Sequence, residues 1–305
     1  MYYFCSMNKR SILNKINILK DALMGNVVKI KVFYDIHIRK AISLSDHSEP
    51  SVIISLTSYG CRVRNSVVYT VYSLIKQSLR PACVVLWLDQ NEYNNDNLPS
   101  DLLFLCSYGL EVRFCKDIRS YTKIIPSLSA FPNKHIITAD DDLYYTKSFV
   151  REFVDTHHQY PNSIITAWAK LPISKGNGQL ASYSEWPELK NVTTDYQYSV
   201  LKIMPLGVGG VLYPSNIFDD EVLNESVFSS LCPKADDIWL YLMGLKCGAS
   251  KRLLVDSQIS YYQTDTLRQY LTKDRLTESN RLGGENDSQL KALMEYYSIS
   301  CNMLV

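Results

Sequence analysis

The sequence lacks the patterns that define several common classes of protein. Its eight cysteines include no CxxC pair, which argues against a zinc site or a disulfide framework and predicts reduced thiols that fill the core. A phosphate-binding loop of the form GxxxxGKS/T is absent. No run of about 18 apolar residues is present, so no transmembrane helix is expected. The net charge is only +1, and we therefore expect no nucleic-acid partner.

The N-terminal segment is basic and carries a helical pattern of apolar residues. Within residues 1–40, eight lysines and arginines stand against two aspartates. Apolar residues recur among these charges at helical spacing, at Ile12, Ile16, Leu19 and Leu23. The pattern predicts either a helix packed on the domain or a helix that lies on an anionic membrane surface. No signal peptide is recognisable, so we expect a cytoplasmic protein, with peripheral association at the inner face of the cytoplasmic membrane as the second alternative.

Apolar runs alternate with helical patterns through the first half of the chain. The predicted strands are residues 51–60, 83–89, 110–117, 135–142 and 163–169, and the predicted helices include 65–81 and 146–158. Continuous apolar strands that alternate with helices are typical of an α/β fold. We therefore predict a Rossmann-like, mostly parallel sheet flanked by helices.

The remainder of the chain is less regular, and we divide the sequence into three parts. A polar segment over residues 43–50 ends in a proline and is typical of a linker. Residues 1–48 are predicted to form the basic N-terminal segment with this linker. Residues 49–170 form a ligand-binding half, and residues 171–305 form a second half that closes with a helix.

Acidic residues follow several of the predicted strands. Asp89 ends the second strand, Asp117 the third, and Asp140, Asp141 and Asp142 the fourth. In parallel sheets, ligands bind beyond the carboxyl ends of the strands. Three adjacent carboxylates repel one another unless a positive charge lies among them, and two of them on one side of a strand can bind Mg²⁺ or Mn²⁺. The alternative is an acidic turn that is solvated and caps the following helix.

Five segments of the sequence, taken together, resemble a known family. They are VIISLTSYGCRV (52–63), SLIKQSLRPACVVLWLD (73–89), KDIRSYTKIIPSL (116–128), IITADDDLYY (136–145) and ADDIWLYLMGLKCG (235–248). The chain resembles the GT-A glycosyltransferases, in particular bacterial enzymes that build capsule, O-antigen or lipooligosaccharide glycans. The order of the aspartate triplet, a later Gly-Gly element and an Asp-Asp pair carries the resemblance, which covers most of residues 51–250.

This resemblance implies a donor site for a nucleotide diphosphate sugar, expected to be a UDP-sugar, in residues 49–170. Asp142 would bind Mn²⁺ or Mg²⁺ between the two phosphates, and Asp140 would share the metal or contact the ribose. The residues expected to bind the donor are Thr57, Asp89, Asp117, Lys123, Asp140 and Asp141. Lys123 would offer its charge to a phosphate, and Arg62 and Arg64 would do the same or lie in a solvated loop.

The resemblance also implies an acceptor-binding and catalytic half in residues 171–305. The acceptor would be a glycan or a lipid-linked glycan. Asp236 and Asp237 would supply the base that takes a proton from its hydroxyl in an inverting transfer. The register favours Asp237, whereas a slip of one residue selects Asp236. A retaining transfer and a nucleotide-sugar-binding or glycan-binding protein without catalysis are the alternatives.

Four aromatic residues and one glycine-rich motif complete the predictions. Trp168 and Trp186 are candidate platforms for the acceptor. His157 and His158 are expected at the surface, because the helix that carries them takes them away from the aspartate triplet. The GVGG motif at residues 207–210 either lets the backbone approach a sugar closely or forms a strand bulge.

Overall fold

The fold is built around a central eight-stranded sheet that has apolar cores on both faces. A computed structural model describes residues 23–176, 178–192, 202–259, 261–264 and 284–305. The described strands are β1 (Ser48–Glu49), β2 (Val52–Thr57), β3 (Arg80–Pro81), β4 (Val84–Asp89), β5 (Leu110–Cys115), β6 (His135–Thr138), β7 (Leu143–Tyr145), β8 (Ser163–Lys170), β9 (Ser174–Gly176), β10 (Gln179–Leu180), β11 (Glu188–Lys190), β12 (Met204–Tyr213), β13 (Ser250–Leu253) and β14 (Tyr261–Gln263). The described α-helices are α1 (23–33), α2 (Arg62–Asn65), α3 (Val67–Ile75), α4 (Ser100–Cys106), α5 (Ile125–Ala130), α6 (Phe149–Gln159), α7 (Glu225–Leu231), α8 (Asp236–Lys246), α9 (Glu285–Tyr296) and α10 (Cys301–Leu304).

The strands of the central sheet have the order β5–β4–β2–β6–β12–β8, and β8 also pairs with β11 and β13. Strands β2, β4, β5 and β6 are parallel to one another, and β13 is parallel to β8. Strand β12 is antiparallel to both β6 and β8, and β11 is antiparallel to β8. The predicted α/β fold, with a mostly parallel sheet flanked by helices, is confirmed.

The central strands are buried on both faces, which explains their continuous apolar sequences. In β2, residues 52–56 are each at most 1% exposed. Successive side chains point to opposite faces. Ile54 therefore packs in the core that contains α3, while Ile53 packs in the core that contains α8. The division at residue 170 stays a prediction, although β12 from the second half lies between β6 and β8 of the first.

The aspartate triplet lies in a turn, and the prediction of a strand over residues 135–142 is wrong at its end. Strand β6 stops at Thr138, the last residue that pairs with β12. The chain then turns and enters β7, which pairs antiparallel with β14. Because the triplet is not extended, alternation along a strand does not determine where its carboxylates point. Strand β7 also separates the triplet from α6, which begins at Phe149 and has no side-chain cap.

The N-terminal part of the described chain is helical and is anchored to α3. Helix α1 continues into a π-helical turn, Tyr34–Ile38. Asp35 is buried and accepts hydrogen bonds from the Tyr72 hydroxyl and, at 3.3 Å, from the Lys76 ammonium group. Residues 1–22, with most of the predicted apolar pattern, lie outside the described residues. Among the residues that are described, no helix is both long and apolar enough to cross a membrane.

Two predictions about burial are wrong. His157 is buried and not at the surface, since its ring packs 4.2 Å from the ring of His135. Cysteines were expected to fill the core, but Cys61, Cys106 and Cys247 are exposed. Short apolar runs flank several of these positions, and the run alone does not show which residue faces inward.

Candidate active site

A buried ion pair joins a residue of the predicted part 49–170 to a residue of the predicted part 171–305. The ammonium group of Lys123 lies 2.9 Å from Oδ2 of Asp236, and only 14% and 9% of the two side chains are exposed. Lys123 ends a 3-10 turn, Arg119–Lys123, and Asp236 begins α8. Burial opposes the charge of Lys123, but the carboxylates of Asp236, Asp237 and Asp140 outweigh it and raise the pKa of the amine. Lys123 therefore carries a positive charge at neutral pH.

Hydrogen bonds from neighbouring strands fix the backbone of this turn. The Ser55 hydroxyl in β2 donates to the carbonyl of Lys123 at 2.6 Å and lies 2.7 Å from the Ser127 hydroxyl. The indole N–H of Trp87 in β4 donates to Ser127 at 2.6 Å. Polar side chains inside two apolar strands thus have partners, as buried polar groups require. They place Lys123 over the sheet.

Asp237 lies beside the ion pair and is held by Gly207 in β12. The Gly207 N–H donates to Oδ1 of Asp237 at 3.0 Å. Burial, together with the adjacent Asp236 carboxylate, raises the pKa of Asp237 to about 7, against the opposing effects of Lys123 and of the Gly207 N–H. A carboxyl group with a pKa near neutrality can accept a proton and release it again under physiological conditions.

The glycine-rich motif contributes to this geometry in two ways. A Cβ atom on Gly207 would lie 2.7 Å from the Lys123 ammonium group and 3.1 Å from Oδ1 of Asp237, so any side chain there would displace these two groups from their positions. The register of β12 against β8 shifts between Leu206 and Val211, which agrees with the predicted strand irregularity. Gly210 has φ of +103°, and a Cβ there would lie 2.8 Å from Phe149.

Asp140 is the member of the aspartate triplet that is coupled to Lys123. Its backbone N–H donates to the Tyr145 hydroxyl at 2.9 Å. Burial raises the pKa of Asp140 to about 7; Lys123 lowers it, while the nearby carboxylates of Asp142, Asp141 and Asp236 add to the increase. The structure therefore brings together Lys123, Asp140, Asp236 and Asp237, as four interacting charges drawn from three separate segments of sequence.

Arg62 supplies the positive charge that the triplet requires. Its Nη1 atom lies 2.6 Å from Oδ1 of Asp141 and 3.4 Å from Oδ2 of Asp142. The Ser58 hydroxyl donates to the other oxygen of Asp141 at 2.6 Å. Asp141 is thereby bonded within the protein, and Arg62 is placed at the triplet rather than in a solvated loop. The backbone carbonyl of Asp142 accepts hydrogen bonds from the N–H and the hydroxyl of Thr264, at 2.9 and 3.0 Å.

The residues of the triplet fit a divalent cation only if the substrate completes its coordination. Within the described ranges, no group of three or more histidine, cysteine or acidic side chains is arranged to hold a metal ion. Ser58 and Arg62 are bonded to Asp141, and Arg62 also lies 3.4 Å from Oδ2 of Asp142, so a cation held by Asp140 and Asp142 would share Asp142 with the guanidinium group. Mg²⁺ typically binds to one or two carboxylates together with water and substrate phosphates. The donor set is compatible with that arrangement, and the predicted Mn²⁺ or Mg²⁺ stays a prediction.

The other predicted donor-binding residues lie at the ends of neighbouring strands and contact their own loops or the adjacent strand. The Thr57 hydroxyl donates to the carbonyl of Trp87 at 3.0 Å. Asp89 accepts hydrogen bonds from the backbone and the side chain of Asn91, both at 3.0 Å. Asp117 accepts one from the Arg119 N–H at 2.7 Å. None of these bonds reaches Lys123, Asp140, Asp236 or Asp237. The roles of Thr57, Asp89 and Asp117 in donor binding stay predictions.

The two tryptophans that were predicted as platforms for the acceptor, Trp168 and Trp186, have different environments. Trp186 is 2% exposed and donates its indole N–H to the carbonyl of Ala181 at 3.0 Å, so it is part of the core. The prediction that it forms a platform for the acceptor is wrong. Trp168 is half-buried, and the ammonium group of Lys190 lies 3.9 Å from its ring centre.

Comparison with known proteins gives distant structural likenesses only. No protein-family model matches the sequence, and neither does any curated protein. One similar solved structure is CMP:2-keto-3-deoxy-manno-octonic acid synthetase complexed with CTP, at 12% identity over 78% of this chain and 100% of that chain, with a TM-score of 0.43. Residues 1–349 of TarS from S. aureus match at 15% identity over 83% of this chain and 72% of that chain, with a TM-score of 0.42. The same protein in complex with UDP matches at 12% identity over 82% and 72%, with a TM-score of 0.43. Likenesses of this strength do not determine the function of the chain.

Proposed function

We propose that the protein is a GT-A glycosyltransferase that moves a sugar from a nucleotide diphosphate sugar to an acceptor hydroxyl with inversion. The observation that carries the proposal is the group formed by Lys123, Asp140, Asp236 and Asp237. It combines a cation and three carboxylates, two of which have a pKa near 7, beyond the carboxyl end of β6. Perturbed titratable groups of this kind are concentrated at functional sites, and ligands of parallel sheets bind at this edge.

The donor side of the proposed site is formed by the aspartate triplet. Asp140 and Asp142 would hold Mn²⁺ or Mg²⁺, and when bound the cation would neutralise charge on the departing nucleotide diphosphate. Asp141 acts indirectly, because its bond to Arg62 fixes the turn from which its neighbours project. Thr57, Asp89 and Asp117 would line the nucleoside edge, where strands β2, β4 and β5 end.

The acceptor side is formed by the start of α8. Asp236 is paired with Lys123, whereas Asp237 accepts a hydrogen bond from a backbone N–H. This difference supports Asp237 as the base that takes the proton of the acceptor hydroxyl, with Asp236 as the partner that keeps Lys123 in place. The helix N-terminus favours the ionised form of both carboxylates and so opposes the effect of burial.

The chemical identity of the two substrates rests on the family resemblance. We propose UDP as the nucleotide of the donor and a bacterial surface glycan, free or linked to lipid, as the acceptor. Action at the cytoplasmic face of the membrane, with peripheral association through residues 1–40, belongs to the same proposal.

A screen of donors tests this function directly. Thermal unfolding would be followed with a panel of nucleotide sugars, with and without Mn²⁺, since a ligand that binds the native state raises the melting temperature. We expect one donor to raise it only when Mn²⁺ is present, and to support transfer to a glycan acceptor. The anomeric configuration of the product, measured by NMR, separates inversion from retention. Stabilisation without transfer or donor hydrolysis would instead indicate a binding protein, and stabilisation by no donor would contradict the proposal.

A further inference from the structure

Helix α1 has an exposed apolar face that nothing in the described structure covers. Leu23, Val27, Ile30 and Tyr34 follow one another at spacings of four, three and four residues, which places them on one face. Their exposed fractions are 60%, 59%, 70% and 53%. Phe33 and Ile38 extend the face, with 57% and 63% exposed. We call these six residues the outer stripe.

The opposite face of the same helix is also apolar and is buried. Val28, Val32 and Ile36 are at most 8% exposed and belong to the core that contains α3. The buried Asp35, bonded to Tyr72 and Lys76, fixes the rotation of the helix about its axis. A helix that is apolar on both faces is normally buried on both. Because the fold uses only one face, the outer stripe indicates a surface for a partner.

The charges around the outer stripe indicate the chemistry of that partner. Between residues 23 and 40 the chain has four basic residues, Lys29, Lys31, Arg39 and Lys40, and one acidic residue, Asp35. Asp35 lies on the buried face, so no acidic residue of this segment is exposed. The Asp101 carboxylate from α4 approaches the segment at His37, at 3.3 Å. The exposed surface of residues 23–40 therefore combines apolar side chains with an excess of positive charge.

We propose that the outer stripe docks on the surface of an anionic lipid bilayer, with α1 lying in the plane of the membrane. The aliphatic and aromatic side chains would enter the boundary between headgroups and acyl chains, while Lys31, Arg39 and Lys40 would contact anionic headgroups. This docking rests on the peripheral association that belongs to the proposed function and names the residues that carry it, while flotation tests it separately from sugar transfer. Within the predicted segment of residues 1–40, the docking is assigned to residues 23–38, whose exposure is described.

The position of α1 gives the docking a consequence for the candidate active site. A Cβ atom on Gly25 would lie 3.0 Å from the carbonyl of Gln263, so α1 passes close to β14 at this point. The next residue, Thr264, holds the carbonyl of Asp142. Docking through the outer stripe would therefore fix the orientation of the aspartate turn with respect to the lipid surface.

Flotation of the full chain with vesicles tests the proposal. The vesicles would consist of phosphatidylcholine alone or of phosphatidylcholine mixed with phosphatidylglycerol. We expect the wild-type protein to float with the anionic vesicles, and a smaller fraction of it to float at high salt. The partition coefficient of the Val27→Ser/Ile30→Ser/Tyr34→Ser variant should be lower by about tenfold or more. The matched control is Leu103→Ser/Val255→Ser/Met303→Ser, which removes three apolar side chains that are 48%, 42% and 45% exposed elsewhere. The control should float like the wild type, and thermal unfolding verifies that both variants are folded.

Several results would overturn the proposal. Equal flotation of the stripe variant and the wild type would do so, as would failure of the wild type to bind anionic vesicles. If the variant still floats but removal of residues 1–22 abolishes flotation, the contact belongs to those residues. If sedimentation shows a wild-type dimer that the three stripe substitutions dissociate, the stripe is the interface with a second copy of the chain.

Discussion

The ammonium group of Lys123 lies 2.9 Å from Oδ2 of Asp236, with both side chains largely withdrawn from water. The two residues are 113 positions apart in the sequence, and they come from a 3-10 turn and the first position of α8. Removing one partner of such a pair leaves a buried charge without compensation, which is more costly than removing both.

Replacement of Lys123 should therefore destabilise the protein more than its loss of packing alone. We expect Lys123→Met to lower the free energy of unfolding by about 3–5 kcal/mol, and Lys123→Met/Asp236→Asn to recover part of it. Lys116, which pairs with Glu225 at the surface, is the control, and Lys116→Met should cost less than about 1 kcal/mol. Urea unfolding measures all three variants. If Lys123→Met and Lys116→Met lower the free energy of unfolding equally, the buried pair contributes no more to stability than the surface pair.

Substitution of the proposed base should remove transfer and spare donor binding. We expect Asp237→Asn to lower kcat by about 10²–10⁴-fold, the usual contribution of a general base. In the wild type, kcat/KM should increase as pH rises through neutrality, because the base acts in its ionised form and burial next to Asp236 raises its pKa to about 7 in the free protein. The variant should lack this increase. Calorimetry should give a donor affinity close to that of the wild type, and a lost affinity would exclude Asp237 from the role of base.

Substitution of Asp142 should affect donor binding more than stability, whereas substitution of Asp141 should affect mainly stability. Asp142→Asn should abolish Mn²⁺-dependent donor binding and cost about 1 kcal/mol of stability or less, since Arg62 keeps its bond to Asp141. Asp141→Asn should lower stability by about 1–3 kcal/mol, because Asp141 is buried and bonded to both Arg62 and Ser58. Calorimetry and thermal unfolding of the two variants give the comparison. Full activity of Asp142→Asn, or of the wild type in EDTA, would contradict the proposed metal role.

A single methyl group at Gly207 should disturb the site. The new Cβ would lie 2.7 Å from the Lys123 ammonium group and 3.1 Å from Oδ1 of Asp237. We expect Gly207→Ala to lower kcat by about tenfold or more, since a displacement of the reacting groups by a fraction of an ångström is sufficient. Val208→Ala, at the adjacent and 40% exposed position, is the matched control and should retain activity. If both variants transfer sugar at the wild-type rate, Gly207 does not position the base.

The buried histidine at the other end of the sheet should make stability depend on acid pH. Burial, with the neighbouring His135 and His158, lowers the pKa of His157 to about 4. The unfolded chain therefore takes up a proton at this position first, and stability is lost as pH falls from about 6.5 to 4, by at most about 1.4 kcal/mol per pH unit. His157→Phe should reduce this slope in urea unfolding. His158→Gln, at an exposed position, should change it much less, because burial contributes more than His158 to the lowered pKa of His157.

Long apolar strands were the most predictable part of the fold. Strands β2 and β4 lie within predicted strands, because a run that is buried on both faces has a simple sequence pattern. Strand β5 also lies within a predicted strand, although only Leu110 in it is fully buried. The end of β6 was not predictable in this way. It is set by the last pairing with β12 and by the pairing of β7 with β14, both of which join residues far apart in the sequence. The same limit applies to His157, whose burial depends on contact with β6.

The candidate site was predictable in its residue types but not in its pairings. Sequence order alone indicated Lys123, Asp140, Asp236 and Asp237 as functional. It gave no indication that Lys123 forms an ion pair with Asp236, because that contact depends on the turn whose backbone the Ser55 hydroxyl holds. Arg62 was a possible phosphate contact in the sequence, and its bond to Asp141, 79 positions away, emerges only from the fold. The GVGG motif was a usable signal for Gly207, although it suggested proximity to a sugar and not to protein side chains.

The placement of β12 between β6 and β8 has a mechanical consequence. The strand that holds Asp237 through Gly207 is hydrogen-bonded to the strand that leads into Asp140, by way of Val211 and Thr138. The carboxylates of Asp140 and Asp237 are thus connected through neighbouring strands of one sheet, so we expect their separation to change little when a ligand binds.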